Sequence, residues 1–153
     1  MNEFEEMKAI TVWEPWATLL ALEEKGFETR GWPTKYRGKI AIHAAKKIDR
    51  GACETEPIKS TLAKHGYTAD NLPTGAVVAI ANLSECWSVG EDYESGMPTL
   101  YNGAGGTTKR ISLQEDKFGD YTQGRFAWEM SGVTRLQTPI PAKGQQGLWT
   151  WRK

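Results

Sequence analysis

The chain has 153 residues, 39% hydrophobic and 25% charged, which fits one folded domain over 1–153 and excludes a largely disordered chain. Lysine plus arginine and aspartate plus glutamate both total 19, so net charge neither favours nor excludes a polyanionic partner. Two cysteines, Cys53 and Cys86, are too few for a disulfide framework or a zinc site; with an acidic start and no membrane-length apolar run, a cytoplasmic protein without metal, cofactor or membrane association is expected.

Residues 8–12 contain β-branched side chains and stop at Glu14-Pro15, which predicts a first strand followed by a turn. Pro15 suits the first turn of a helix; Trp16, Leu19, Leu20 and Glu23 follow at helical spacing, and Gly26 is placed to end the helix in a left-handed cap. Residues 27–30 alternate apolar, charged, small, charged, so a strand there directs Glu28 and Arg30 to one face. In 39–44, Ile40, Ile42 and Ala44 share a face and His43 points the other way. A second helix is predicted over 55–65 with Gly66 as its stop, followed by a turn at 71–75. The apolar run 76–83 predicts a strand buried on both faces. Residues 88–110 are rich in glycine and poor in aliphatics, and are expected to form a flexible loop insertion. The last strands are predicted over 125–130 and 148–151. About five or six strands with flanking helices make an α+β chain, a small mixed β-barrel.

Charge is concentrated locally. Between Glu23 and Arg50 there are eight basic residues against four acidic ones, with compensating acids in Glu3, Glu5, Glu6, Glu91, Asp92 and Glu94. Within that segment Lys25, Glu28 and Arg30 form a triplet in which two cations favour the charged carboxylate, so Glu28 suits positioning better than proton abstraction. Two roles fit: a surface ion-pair cluster that orients the turn, or a site in which Arg30, held by Glu28, presents its planar fork to phosphate while Lys25 supplies a mobile charge. Trp13, Trp16, Trp32 and Tyr36 interleave with the basic residues as stacking groups do in single-stranded nucleic-acid sites, with Trp16 the one most suited to the core. His43 fits either the cleft or a hydrogen-bonded structural place. Glu85 and Glu129 are candidate acids from later strands.

The run Lys25-Gly26-Phe27-Glu28-Thr29-Arg30, with Gly31-Trp32 and residues 36–44 behind it, resembles the ASCH family of the PUA-like superfamily, whose signature reads Gly-x-Lys-x-x-Glu-x-Arg. Trp13-Glu14-Pro15-Trp16-Ala17, Pro139-Ile140-Pro141 and Gly147-Leu148-Trp149 look like the ASCH proteins common in phage and bacterial genomes. Glu23 stands where the signature has glycine, and a residue with a Cβ is expected to avoid a positive φ there. The resemblance implies a PUA-like barrel and RNA or single-stranded nucleic-acid binding through Lys25, Arg30, Arg37, Trp13, Trp32, Tyr36 and His43. It also admits a hydrolase acting on RNA or on N4-acylated cytidine nucleosides, with Lys25, Glu28 and Glu129 as catalytic candidates. In the nucleoside amidohydrolases a Thr holds the place of Glu28, and Thr29 falls on the opposite face of the strand. A protein-interaction module is the third possibility, since ASCH segments also occur in transcriptional coactivators.

Overall fold

The computed structural model describes residues 6–103 and 106–152; of the acids noted at the start of the chain, Glu3 and Glu5 lie outside them. Strand β1 (Glu6–Glu14) leads into the short helix α1 (Trp16–Ala21), then β2 (Phe27–Arg30) and β3 (Gly38–Ile48). Strands β1 and β3 pair in parallel, Ile10 opposite Ile42. Parallel neighbours need a long crossover, and residues 15–37, carrying α1 and β2, supply it. The charged triplet lies inside this crossover.

Two short helices, α2 (Arg50–Cys53) and α3 (Ile58–Lys64), precede the long strand β4 (Ala76–Glu91). Strands β5 (Pro98–Tyr101) and β6 (Thr108–Arg110), helix α4 (Leu113–Phe118), and strands β7 (Phe126–Pro141) and β8 (Leu148–Arg152) complete the order. Much of 88–110, expected as a loop, is therefore ladder. Val89 and Leu100 are buried with Phe27, Trp87 and Tyr121 beneath the β4–β5 pairing, so two aliphatic anchors suffice to hold a glycine-rich segment against the sheet.

The hydrogen-bonded path runs β2-β7-β4-β3-β1-β8, with β5 and β6 attached to β4. The β4–β7 ladder shifts register between Val77 and Ala79, Ile80 and Asn82, and Leu83 and Glu85; each irregularity adds local twist and bends the strands. The sheet curls without closing into the expected barrel. Strand β2 is four residues long and pairs only with β7, and the β1–β8 ladder stops at Ile10 opposite Leu148. A seam is left between β2 and the second half of β1.

Ile10, Ile40, Ile42, Leu20 and Trp128 fill the curl beneath α1, each isoleucine or leucine contributing roughly 2 kcal/mol by burial. Leu19, Ile58, Leu62 and Phe118 join the helices in a second cluster.

Candidate functional site

The seam opens into a cleft of about 940 Å³, a volume within the range of small-ligand sites. Trp13, on β1, and Trp32, just after β2, both line it. The two residues remain 49% and 39% exposed, while Trp32 packs edge-on against buried Trp128 at 4.8 Å and Lys47 Nζ lies 5.5 Å from the centre of the Trp13 ring. Trp32 is thus held by Trp128, Trp13 has the exposed Lys47 ammonium near its ring, and both keep surface free. Trp16 also borders the cleft, but it packs against two core clusters and donates its Nε1–H to Phe118 O.

Strand alternation sets Glu28 beside Arg30, as the residue pattern predicts. Arg30 Nε donates to Glu28 Oε2 at 2.9 Å, and Nη2 donates to Thr11 O at 2.6 Å. Thr11 is one residue past the last β1–β8 pair, so the guanidinium serves as a strut across the seam where no ladder exists.

Lys25 departs from expectation. Its side chain is 1% exposed and forms part of the cleft floor, where it is pinned and far from the mobile surface cation foreseen for it. Nζ donates to Glu115 Oε2 at 3.1 Å and to Phe27 O. Glu115 also accepts from Gly26 N at 2.7 Å and from Tyr121 Oη at 2.8 Å. Burial and the Glu115 charge push the Tyr121 phenol up, which keeps it a donor. Gly119 leaves room here, since a Cβ would lie 3.0 Å from Lys25 Nζ and 3.1 Å from Tyr121 Cε2, and these neighbours would have to give by a few tenths of an ångström. Glu115 and Tyr121 were not foreseen; Ser112-x-x-Glu115 carries the spacing of a helix start, and Ser112 Oγ does accept from Glu115 N at 3.0 Å. Such spacing marks the helix and leaves the long-range ion pair unannounced.

The turn before the triplet also differs. Glu23 adopts φ 60, the left-handed conformation it was expected to avoid, while Gly26 is not the cap. Glu23 N donates to Leu20 O and Glu24 N to Leu19 O, both at 3.1 Å, the two bonds of a Schellman ending. Its geometry asks for glycine where this chain has glutamate.

Arg37, Tyr36, His43 and Glu129 do not line the cleft. Arg37 pairs with Glu85 at 2.8 Å, and Tyr36 packs against the core and donates its hydroxyl to Lys39 O. Glu129 accepts from Trp87 Nε1 at 2.8 Å and from Lys109 Nζ at 2.7 Å, away from Lys25 and Glu28. His43 does turn from the Ile40–Ile42 face, but it is 2% exposed. Its Nε2 donates to Ala142 O at 2.7 Å and its Nδ1 accepts from Thr11 Oγ1 at 3.2 Å, while Thr11 Oγ1 accepts from Trp149 Nε1 at 3.1 Å. This is the structural place.

Two further features border the site. Lys117, on α4, and Arg125, just before β7, also line the cleft. Glu14, between Trp13 and the helix, is 0% exposed; it accepts from Thr18 N at 2.8 Å and Thr18 Oγ1 at 2.6 Å, and burial pushes its carboxyl up to about 7. Among the described residues no group of three or more His, Cys, Asp or Glu could hold a metal ion, and no helix is long and apolar enough to cross a membrane.

The mixed α+β sheet is curled but open along one side, and a crossover carries Lys25, Glu28 and Arg30 to the opening; the closed barrel that the resemblance implies is not formed. The chain belongs to the ASCH domain family, whose model matches residues 10–133. No curated protein matches it. Among solved structures it is similar to a tyrosine-to-phenylalanine mutant of ZmASCH from Zymomonas mobilis, at 17% identity and a TM-score of 0.49, over 95% of this chain and 90% of that one.

Proposed function

We propose that this ASCH domain binds single-stranded nucleic acid, RNA in the first instance, by stacking a base on the indoles at the seam. One observation carries the reading: Trp13 and Trp32 stand on the two sides of the seam, half-exposed, and line one cleft that holds the Glu28–Arg30 pair. Base–aromatic stacking contributes about 1–3 kcal/mol per base, and sequence-specific RNA recognition favours unstacked, single-stranded bases.

Hydrolysis has less support. Glu28 is tied to Arg30, Lys25 is committed to Glu115, and Glu129, the acid expected to complete the set, lies outside the cleft. The protein-interaction reading wants a continuous apolar patch; among the described residues the exposed large apolar side chains outside the cleft are Tyr93, Tyr101 and Leu113, carried by the β4–β5 turn, β5 and α4.

The test is retention of a labelled single-stranded RNA by the purified protein, with indole fluorescence followed in parallel. Trp13→Ala and Trp32→Ala should each weaken binding about tenfold, and Arg37→Ala should leave it unchanged. Absence of binding, or binding indifferent to both tryptophans, would remove this reading; conversion of RNA or of N4-acetylcytidine to products would replace it with the hydrolase.

A further inference from the structure

The charges around the cleft are unevenly committed. Lys25 is neutralised by Glu115 at 3.1 Å and Arg30 by Glu28 at 2.9 Å. Asp49, also in the lining, accepts from Ala52 N at 3.0 Å as the cap of α2 and keeps its negative charge. Lys117 and Arg125 are different. Lys117 is exposed and has no hydrogen bond or ion pair to another described residue. Arg125 is oriented by backbone, Nη2 donating to Thr29 O at 3.0 Å and Nε to Asp120 O at 3.2 Å. Asp120 approaches Arg125 at 3.5 Å, but its Oδ1 accepts from Thr122 N at 3.1 Å and from the Thr122 hydroxyl, which holds its carboxyl below the usual range. Of the residues that line the cleft here, two cations, Lys117 and Arg125, stand against one acid, Asp120, one positive charge in excess.

From this arrangement we infer a phosphate subsite in the cleft, formed by Lys117 and Arg125 and matched to one phosphate group. The inference rests on the cleft being a nucleotide site. A guanidinium held by two carbonyls is preorganised to present its remaining N–H groups, and an unpartnered ammonium lining the same cleft adds charge without an ion pair to break. Two cations suit one phosphate group, a monoanionic phosphodiester or the monoester of a nucleoside monophosphate with its charge of about −1.5 to −2; an extended phosphate track would need several such cations. The basic residues conspicuous in the sequence, Lys25 and Arg37, have no part in it: the first is buried in its own ion pair and the second is outside the cleft. The two that do were not conspicuous, since neither belongs to the basic segment or to the charged triplet.

Affinities of the four ribonucleosides and their 5′-monophosphates for the full chain, measured by indole fluorescence at two salt concentrations, test the subsite. At least one monophosphate should bind ten times or more tighter than its nucleoside, and the advantage should shrink at the higher salt. Lys117→Glu, at an exposed position, should abolish the advantage and leave nucleoside binding unchanged; Arg125→Ala should do the same, with circular dichroism confirming that the Thr29 and Asp120 tethers are not needed for folding. Equal affinities for nucleoside and monophosphate, or a phosphate advantage that survives Lys117→Glu, would overturn the subsite while leaving the stacking cleft intact. Failure of nucleosides, monophosphates and RNA alike would overturn both.

Discussion

Two side chains decide most of the local energetics around the cleft. Glu23 sits at φ 60 in the Schellman ending of α1, a conformation that costs an L-residue with a Cβ about 1 kcal/mol relative to glycine. Glu23→Gly should therefore stabilise the fold by about 1 kcal/mol, read as a higher urea midpoint at unchanged slope. The second is Lys25. Removing one member of a buried ion pair strands the other charge, which costs about 3–5 kcal/mol. Lys25→Met should destabilise by that order, and Lys25→Met with Glu115→Gln should recover part of the loss, because no lone carboxylate remains beneath Gly119. A double-mutant cycle by chemical denaturation checks the coupling. Loss of ligand binding in a Lys25 variant would accordingly report unfolding unless the compensated double variant loses it too.

At the scale of elements, the junction of β1 and α1 holds a carboxyl with no cation beside it. Glu14 is raised to about 7 by burial, so the folded state holds this proton more tightly than the unfolded chain. Its favourable contribution is complete below about pH 4.5 and is lost as pH rises through about 7, a swing of about 3 kcal/mol. Glu14→Gln keeps an acceptor for Thr18 N and should flatten that part of the pH–stability curve, becoming the more stable form at pH 8. The elements themselves were legible where side-chain periodicity governs them: β2, the Ile40–Ile42–Ala44 face of β3 and the buried start of β4 follow from alternation and apolar runs. What remained hidden is tertiary. The helix α4 is one and a half turns of mostly polar residues, Glu115 reaches 90 positions back to Lys25, and β5 forms because Leu100 finds a hydrophobic pocket already made by other strands. Of the candidate site, Trp13, Trp32, Glu28 and Arg30 were readable from motif and alternation. Lys117 and Arg125 were not, since an exposed lysine and an arginine at a strand's start carry no signal of their own.

For the whole molecule, the departure from a closed barrel matters more than the number of strands. A four-residue β2 is held by the β7 ladder on one side and by Arg30, as a strut to Thr11, on the other. In Arg30→Ala the β2 amides should exchange with solvent at least tenfold faster while those of Ile40, Ile42 and Val78 keep their protection, as local opening differs from global unfolding. Exchange followed by mass spectrometry distinguishes the two.

That unlaced side has a mechanical corollary. A flat guest slipped in sideways touches two strands that share no rungs, and so acts as a substitute rung, girdling the fold while it stays. Occupancy should then harden this corner of the molecule, raising the melting midpoint by mass action and slowing exchange at Phe27 through Arg30.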